Sequence, residues 1–366
     1  MRDGRPAALK TGVVRNAERS TKMAESLWRD NLQLVGPLAS VPETIRRFGI
    51  NPAEVLAAAG LSATALDNPA ATTPYAAVGC LLEAAAEKTR CLHFGLEIGK
   101  QIRTTSLGLV GALMRSAPTL GVALRDYVAN QHRIAHGSVA YLLPDKEQIF
   151  CGYAVYHPHI RGYPLICDWV AMGGMNLICE LADASHKHDI EVLFSRSEPQ
   201  DLAPYHRAFG VKLRFEAEQT ALLLPRRFLD LPVAGADSGV RKVLEKRIAA
   251  LRHASGLDIV TKLRRKLRVA LLRGRVSARE ISAKMGMSRR TFHRRLEARG
   301  LGFQEVLDET RCEFAEQLLA HTRLSVSEIA GIVGYAHPSI LTRAFVRWKG
   351  TPPSEWRLQR FRRPGA

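Results

Sequence analysis

Two stretches near the C-terminus repeat one another, and no other feature of the chain limits its possible folds as much. "EISAKMGMSRRTFHRRLEARG" (280–300) and "EIAGIVGYAHPSILTRAFVRWKG" (328–350) both begin with Glu-Ile on a short helical segment. In both, a glycine follows that Glu by six residues, Gly286 and Gly334. Each copy then opens a second helix, behind Ser288 in the first and behind His337-Pro338 in the second. Ser277 with Glu280, and Ser325 with Glu328, have the spacing of a capping box at the start of each short helix. A capped helix, a glycine corner and a second helix make a helix-turn-helix unit. Two such units in one chain are far more specific than one.

The second copy gains one residue at the turn, which aligns Phe292 with Leu341, Arg294 with Arg343 and Leu296 with Phe345. At about 100° per residue, Phe292 and Leu296 mark one side of the second helix. Arg290, His293, Arg294 and Glu297 mark the other. In the second unit Leu341, Phe345 and Trp348 are expected to face a core, and Ser339, Thr342, Arg343 and Val346 to face outward. A lone basic run is usually just a solvated face, and a helix lying on a membrane needs a broad exposed apolar side. Here the apolar side is needed for docking. What remains is a short polar and basic face suited to base edges, where Arg bonds guanine O6 and N7 in bidentate fashion.

Charge agrees. The chain carries a net +18, and residues 258–366 hold 23 Lys and Arg against 10 Asp and Glu. A polyanion is therefore expected to meet the C-terminal part. Six cysteines without a CxxC pair fit neither a disulfide framework nor a zinc ribbon and suit a reducing compartment, so the expected location is cytoplasmic. Residues 1–22 are basic and polar and lack the apolar centre of a signal peptide, which reads as a disordered arm or as a translation start placed upstream of Met23. The most apolar run, 164–179, is too short for a membrane span and contains Asp168 and Asn176, so no membrane partner is expected.

Upstream of the repeat the pattern divides the chain. From Val41 to His132 it is helical, with Pro-initiated starts at "VPETIRRFGI" and "NPAEVLAAAG". "GSVAYLLP" and "EQIFCGYAVYH" predict a hairpin around Pro144-Asp145. A helix follows from Leu165 to about Ala182. "DIEVLFS", "VKLRFEA" and "TALLLP" predict three more strands, the last two joined by a short turn. The expected organisation is a basic arm (1–30), an α+β domain (31–232), a linker with an amphipathic helix (233–256), a DNA-binding domain (257–358) and a basic tail (359–366). The fold class is an α+β N-terminal domain followed by an all-α domain of two helix-turn-helix units.

These residues resemble a known family. The C-terminal hundred or so residues are similar to the DNA-binding domain of AraC/XylS-type transcriptional regulators. The second unit matches most closely, in "SVSEIAGIVGYAHPSILTRAFVRWKGTPPSEWR" with its Gly-Tyr step, Arg-Ala-Phe and closing Gly-x-x-Pro. "GLEIGK", "LGLVGALMRSAPTLGVAL" and "LFSRSEPQDLAPYHRAFGVKLRF" resemble the arabinose-binding-like effector domain of one branch. The resemblance implies two subdomains joined by a long helix, about Phe303 to Leu319, with recognition helices in successive major grooves of double-stranded DNA. It implies Arg290, His293 and Arg294 as base readers in the first unit, and Ser339, Thr342 and Arg343 in the second. Arg290 stands where members vary, and Val346 interrupts the second polar face. A small-molecule effector, a homodimer and RNA polymerase are the further implied partners, and activation the implied role.

The effector site is least legible. "YHPHIRGYP" (156–164) is dense in His, Tyr and Arg, so His157, His159, Arg161 and Tyr163, with Asp168 or Trp169 behind, are candidates for holding a small polar or charged metabolite. The alternative is a loop of exposed or hydrogen-bonded side chains. His132 and His136 have an i, i+4 metal spacing but no HExxH Glu and no third ligand, so no metal is expected. Cys151 and Cys167 could be thiol sensors, though no basic neighbour argues for it. No GxSxG, P-loop, GxGxxG or paired-carboxylate pattern is present, so neither enzyme activity nor a cofactor is expected. Two rivals stand beside the regulator. A DNA repair or modification enzyme would need a metal-held cysteine cluster. A non-specific architectural protein would show a steep salt slope and no preferred site.

Overall fold

The computed structural model describes residues 32–145, 147–155, 160–254, 259–271, 276–321 and 324–361. The expected basic arm, the last residues of the tail, and His157 and His159 lie outside them. Strand β1 (Leu32–Leu34) pairs antiparallel with β2 (Thr72–Pro74). Around this ribbon stand α1 (Val41–Arg47), α2 (Pro52–Ala58), α3 (Tyr75–Thr89), α4 (Phe94–Gly99), α5 (Gly108–Arg115) and α6 (Leu120–Asn130). Local chemistry sets several starts. Asn51 accepts the Ala53 amide at 3.1 Å ahead of Pro52, and Thr119 accepts the Val122 amide at 3.4 Å.

The main sheet is built from β3 (Ser138–Asp145), β4 (Gln148–Val155), β5 (Glu191–Leu193), β6 (Lys212–Arg214) and β7 (Ala221–Pro225), in the order β3-β4-β7-β5-β6. Helix α7 (Tyr163–Ala182) follows β4, and α8 (Ala203–Phe209) lies between β5 and β6. The sequence expectation needs one correction here. Pro144 and Asp145 are the last residues of β3, paired with Ile149 and Gln148, so the hairpin turns two residues later. Pro is tolerated because β3 is an edge strand. Strands β6 and β7 do not pair. β5 lies between them, parallel to β6 through α8 and antiparallel to β7. A parallel neighbour requires a crossover, and α8 supplies it.

Helix α7 extends over 20 residues, long and apolar enough to cross a membrane, but 72% of its apolar window is buried inside the protein. It is apolar all round because it is a core helix. The stretch expected as linker is stitched to the first domain. Val233 is buried, and α9 (Ser238–Ala254) docks through Arg241, which bonds Asp126 at 2.7 and 3.2 Å, and through Ile248, whose carbonyl accepts from Arg133 at 3.1 Å.

The C-terminal part is helical throughout: α10 (Ile259–Leu271), α11 (Ala278–Lys284), α12 (Arg289–Glu297), α13 (Phe303–His321), α14 (Val326–Ile332), α15 (Pro338–Lys349) and α16 (Pro353–Phe361). It contains two cores. Leu263, Leu267, Ile281, Phe292, Leu296 and Val306 form the first, and Phe314, Leu318, Ile329, Leu341 and Phe345 belong to the second. Helix α13 contributes its N-terminal turns to one and its C-terminal turns to the other, so it is the connecting helix, two residues longer than expected.

Candidate nucleic-acid interface and effector cavity

In the first unit α11 and α12 meet at Gly286, whose φ is +69°. In the second α14 and α15 meet at Gly334, φ +78°. Both corners use the left-handed conformation that glycine adopts without a Cβ clash, as the spacing from Glu-Ile implied. Ser288 caps α12 by accepting the Thr291 amide at 3.2 Å, and α15 starts at Pro338 after His337. The two expected capping boxes differ. Ser325 accepts the Glu328 amide at 3.2 Å, and the Glu328 carboxylate takes the Ser325 amide in return at 2.7 Å. The Ser325 hydroxyl, which also donates to that carboxylate at 2.6 Å, and then the Ser325 amide hold the Glu328 carboxyl below its usual range. Ser277 accepts from the Glu280 amide at 3.1 Å, but Glu280 does not reach back and lies 4.0 Å from Lys284 instead. Ser325→Ala should cost about 1 kcal/mol and Ser277→Ala less, as measured by urea denaturation. Equal losses would show that the reciprocal bond adds nothing.

The outward faces have the expected composition. Phe292 and Leu296 are buried, as are Leu341 and Phe345, with Trp348 packed partly against the second core. Arg290, Arg294, Ser339 and Arg343 are exposed, and Val346 is 39% exposed. Thr342 is half-buried and its hydroxyl donates back to the Pro338 carbonyl at 3.0 Å, leaving it an acceptor. His293 is half-buried too, edge-on to Phe292 at 5.8 Å, and its Nε2 is enclosed with no partner among the described residues. It offers less of its ring to the surface than spacing alone suggested.

Charge pairing separates two kinds of cation. Arg347 pairs with Asp308 at 3.0 Å, Lys349 with Glu316 at 2.7 Å, and Arg311 lies 4.5 Å over the Tyr335 ring while bonding the Val333 carbonyl at 3.0 Å. These cations hold α13, α14 and α15 together. Arg290, Arg294 and Arg343 make no ion pair among the described residues. Two structural arginines escaped the sequence reading. Arg264 is buried between Glu309 and Glu313, with Nη1 2.9 Å from Glu313, and staples α10 to α13. Its spacing from Val260, Leu267 and Leu271 was a usable signal, since it puts a charge on an apolar face. Arg357 donates to the Leu319 and Leu324 carbonyls at 3.1 and 2.6 Å, closing the end of α13.

The candidate effector residues are dispersed. Arg161 is exposed and pairs with Glu83 at 2.7 Å. The Tyr163 hydroxyl lies 3.2 Å from Ser195 Oγ. Asp168, buried on α7, bonds Arg196 and the Tyr205 hydroxyl, each at 2.6 Å. Burial pushes its carboxyl up, against the pull of Arg196 and Tyr205. Trp169, by contrast, lines a cavity of about 120 Å³ together with Leu124 and Tyr127 of α6, Leu142 of β3, Cys151 of β4 and Leu177 of α7. The amides of Gln33 and Gln131 and the Thr220 hydroxyl are polar groups on its wall, and no charged side chain among the described residues lines it. Space of that size left unfilled by side chains forgoes about 3 kcal/mol at roughly 24 cal/mol per Å³. Burial raises the Cys151 thiol to about 12 and the Cys167 thiol to about 11, so neither is a ready thiolate. His132 and His136 share no helix face, because α6 ends at Asn130, and no group of three or more metal-ligating side chains occurs among the described residues.

A family profile described as the arabinose-binding domain of AraC transcription regulator, N-terminal, matches residues 49–233, and one described as a helix-turn-helix domain matches residues 281–359. The HTH-type transcriptional regulator VirS of Mycobacterium tuberculosis is 26% identical over 281 residues, covering 76% of this chain and 82% of VirS. The ornithine utilization regulator of Pseudomonas aeruginosa is 26% identical over 323 residues, covering 86% of this chain and 93% of its own length. Among solved structures, the transcriptional regulator CdpR from Pseudomonas aeruginosa matches with a TM-score of 0.40 at 22% identity, covering 85% of this chain and 98% of CdpR.

Proposed function

The chain belongs to the AraC family of transcription regulators, DNA-binding proteins with an effector domain rather than enzymes, and from that premise we propose that Arg290, Arg294 and Arg343 read base edges in two successive major grooves. Ser339 and Thr342 complete the second surface, and His293 borders the first. The observation that carries this reading is the charge pairing. On the second recognition helix Arg347 and Lys349 are paired with Asp308 and Glu316 of α13, whereas Arg290, Arg294 and Arg343 are exposed and have no acidic partner among the described residues. An exposed unpaired guanidinium keeps its full fork of donors for guanine.

The protein works in the cytoplasm as a homodimeric activator that delivers RNA polymerase to its promoter, switched by a small molecule in the first domain. Linkage requires that the ligand favour one arrangement of the two halves. A contact that can transmit such a bias exists, since Val139 and Ala154 of the β3–β4 hairpin pack with Phe314 and Leu318 of α13.

The test is retention of fragmented genomic DNA by the purified protein near physiological salt, followed by sequencing. A bipartite site of two unlike boxes about 10 bp apart is the expected result. At that site Arg290→Ala and Arg343→Ala should each weaken binding by about 1–3 kcal/mol and change retention of random DNA little. Uniform retention abolished by salt, or equal losses on both DNAs, would sink the assignment.

A further inference from the structure

The His- and Arg-rich loop suggested a polar or charged effector, but the chemistry of the cavity points elsewhere. Strand alternation sets its wall. Leu142 and Cys151 are register partners in β3 and β4 and face the cavity, as do Ala140 and Tyr153 two pairs further along. The opposite face of the same hairpin carries Val139 and Ala154, which pack against the DNA-binding half. Helices α6 and α7 close the other sides with Leu124, Tyr127, Trp169 and Leu177. Gln131 is already positioned by a 3.0 Å bond from its amide nitrogen to Ser138 Oγ. The indole N–H of Trp169, in a residue only 5% exposed, has no acceptor among the described residues.

We propose that this cavity is the effector site and that it takes an uncharged, largely apolar molecule of about one ring, carrying a hydrogen-bonding group. The assignment rests on the reading of the first domain as an effector domain. Three observations fix the class. First, no Lys, Arg, His, Asp or Glu among the described residues lines the cavity, so an ionised ligand would lose its hydration with no counter-charge from them in return. Second, its size, about 120 Å³, is close to that of an apolar cavity of roughly 150 Å³ that holds benzene. A ligand of about six to eight non-hydrogen atoms is the natural occupant. Third, the wall carries a few polar groups, Gln33, Gln131 and Thr220, and a buried donor in Trp169 that lacks an acceptor. These favour a phenol, amide or ketone over a plain hydrocarbon.

The experiment is thermal denaturation of the full chain with toluene and p-cresol as neutral probes, and benzoate and benzylamine as charged probes of similar size. Neutral probes should raise the melting temperature by roughly 3–6 °C at ten times their Kd, p-cresol at lower concentration than toluene. The charged pair should leave it unchanged. Cys151→Leu, from the sheet wall, and Ala171→Leu, from α7, should each fill the space and abolish the shift, and two variants are used in case one does not fold. Equal or larger shifts from benzoate or benzylamine, no shift from any probe, or neutral-probe shifts that survive in a folded filling variant would overturn the proposal. Genomic DNA retention is measured on the same preparation. Selective retention without probe binding removes this ligand assignment and leaves the regulator reading intact. Probe binding without selective retention supports the site and counts against the regulator reading instead.

Discussion

Phe345→Ala should destabilise the second helix-turn-helix unit by about 3–5 kcal/mol while leaving the first unit folded. The side chain is fully buried and lies edge-on to Trp348 at 6.5 Å and to Trp356 at 5.9 Å. Truncation removes a whole ring from a core built mainly by α13, α14, α15 and α16, and the helices cannot close over the gap without losing their turn geometry. The first unit has its own core around Phe292, Leu296 and Ile281. Damage should therefore stay local, with loss of one box of the DNA site rather than of all affinity. Urea denaturation followed by tryptophan fluorescence is a direct readout, because Trp348 and Trp356 belong to this core. A loss under about 1 kcal/mol, or equal unfolding of both units, would contradict a bipartite domain with separate cores. Phe345→Leu is the control and should cost much less than Phe345→Ala.

Asp168→Ala should cost the first domain about 3–5 kcal/mol and have no specific effect on ligand choice. Asp168 is 1% exposed and is the counter-charge for Arg196, whose guanidinium carbon lies 5.2–5.3 Å from the ring centres of Phe194, Tyr205 and Phe215. Removing the carboxylate leaves a cation enclosed by aromatic rings with no anion, and strips the Tyr205 hydroxyl of its acceptor. The double variant Asp168→Ala with Arg196→Met should recover much of the loss, because the isolated charge goes too. Denaturant melts of the two singles and the double decide the matter. An Asp168→Ala protein as stable as the parent but altered in effector response would return Asp168 to the binding site where sequence alone had put it.

The two residues show how differently the halves could be read. Phe345 was assigned to a core and Arg343 to an outer face from helical spacing alone, and burial follows that spacing. Asp168 and Trp169 are adjacent in sequence, and nothing local indicated that one joins a buried ion pair while the other lines a cavity. The partner that settles Asp168 is Arg196, 28 residues away. Similarly, the strand "TALLLP" and the turn before it were legible, but not that β7 pairs with β4 and β5.

By itself the sequence determined the helix-turn-helix units: their caps, their glycine corners and the side of each recognition helix that faces out. Those features are local, because a helix relates residues three and four apart, and a cap or turn relates residues within half a dozen of one another. Only the tertiary structure decided the strand order, the Asp168–Arg196 pair, the Arg264 staple and the cavity beside Trp169. Each depends on surfaces distant in the chain coming together. A strand's alternation says which face is apolar, but not which strand lies next to it or what space remains between packed layers.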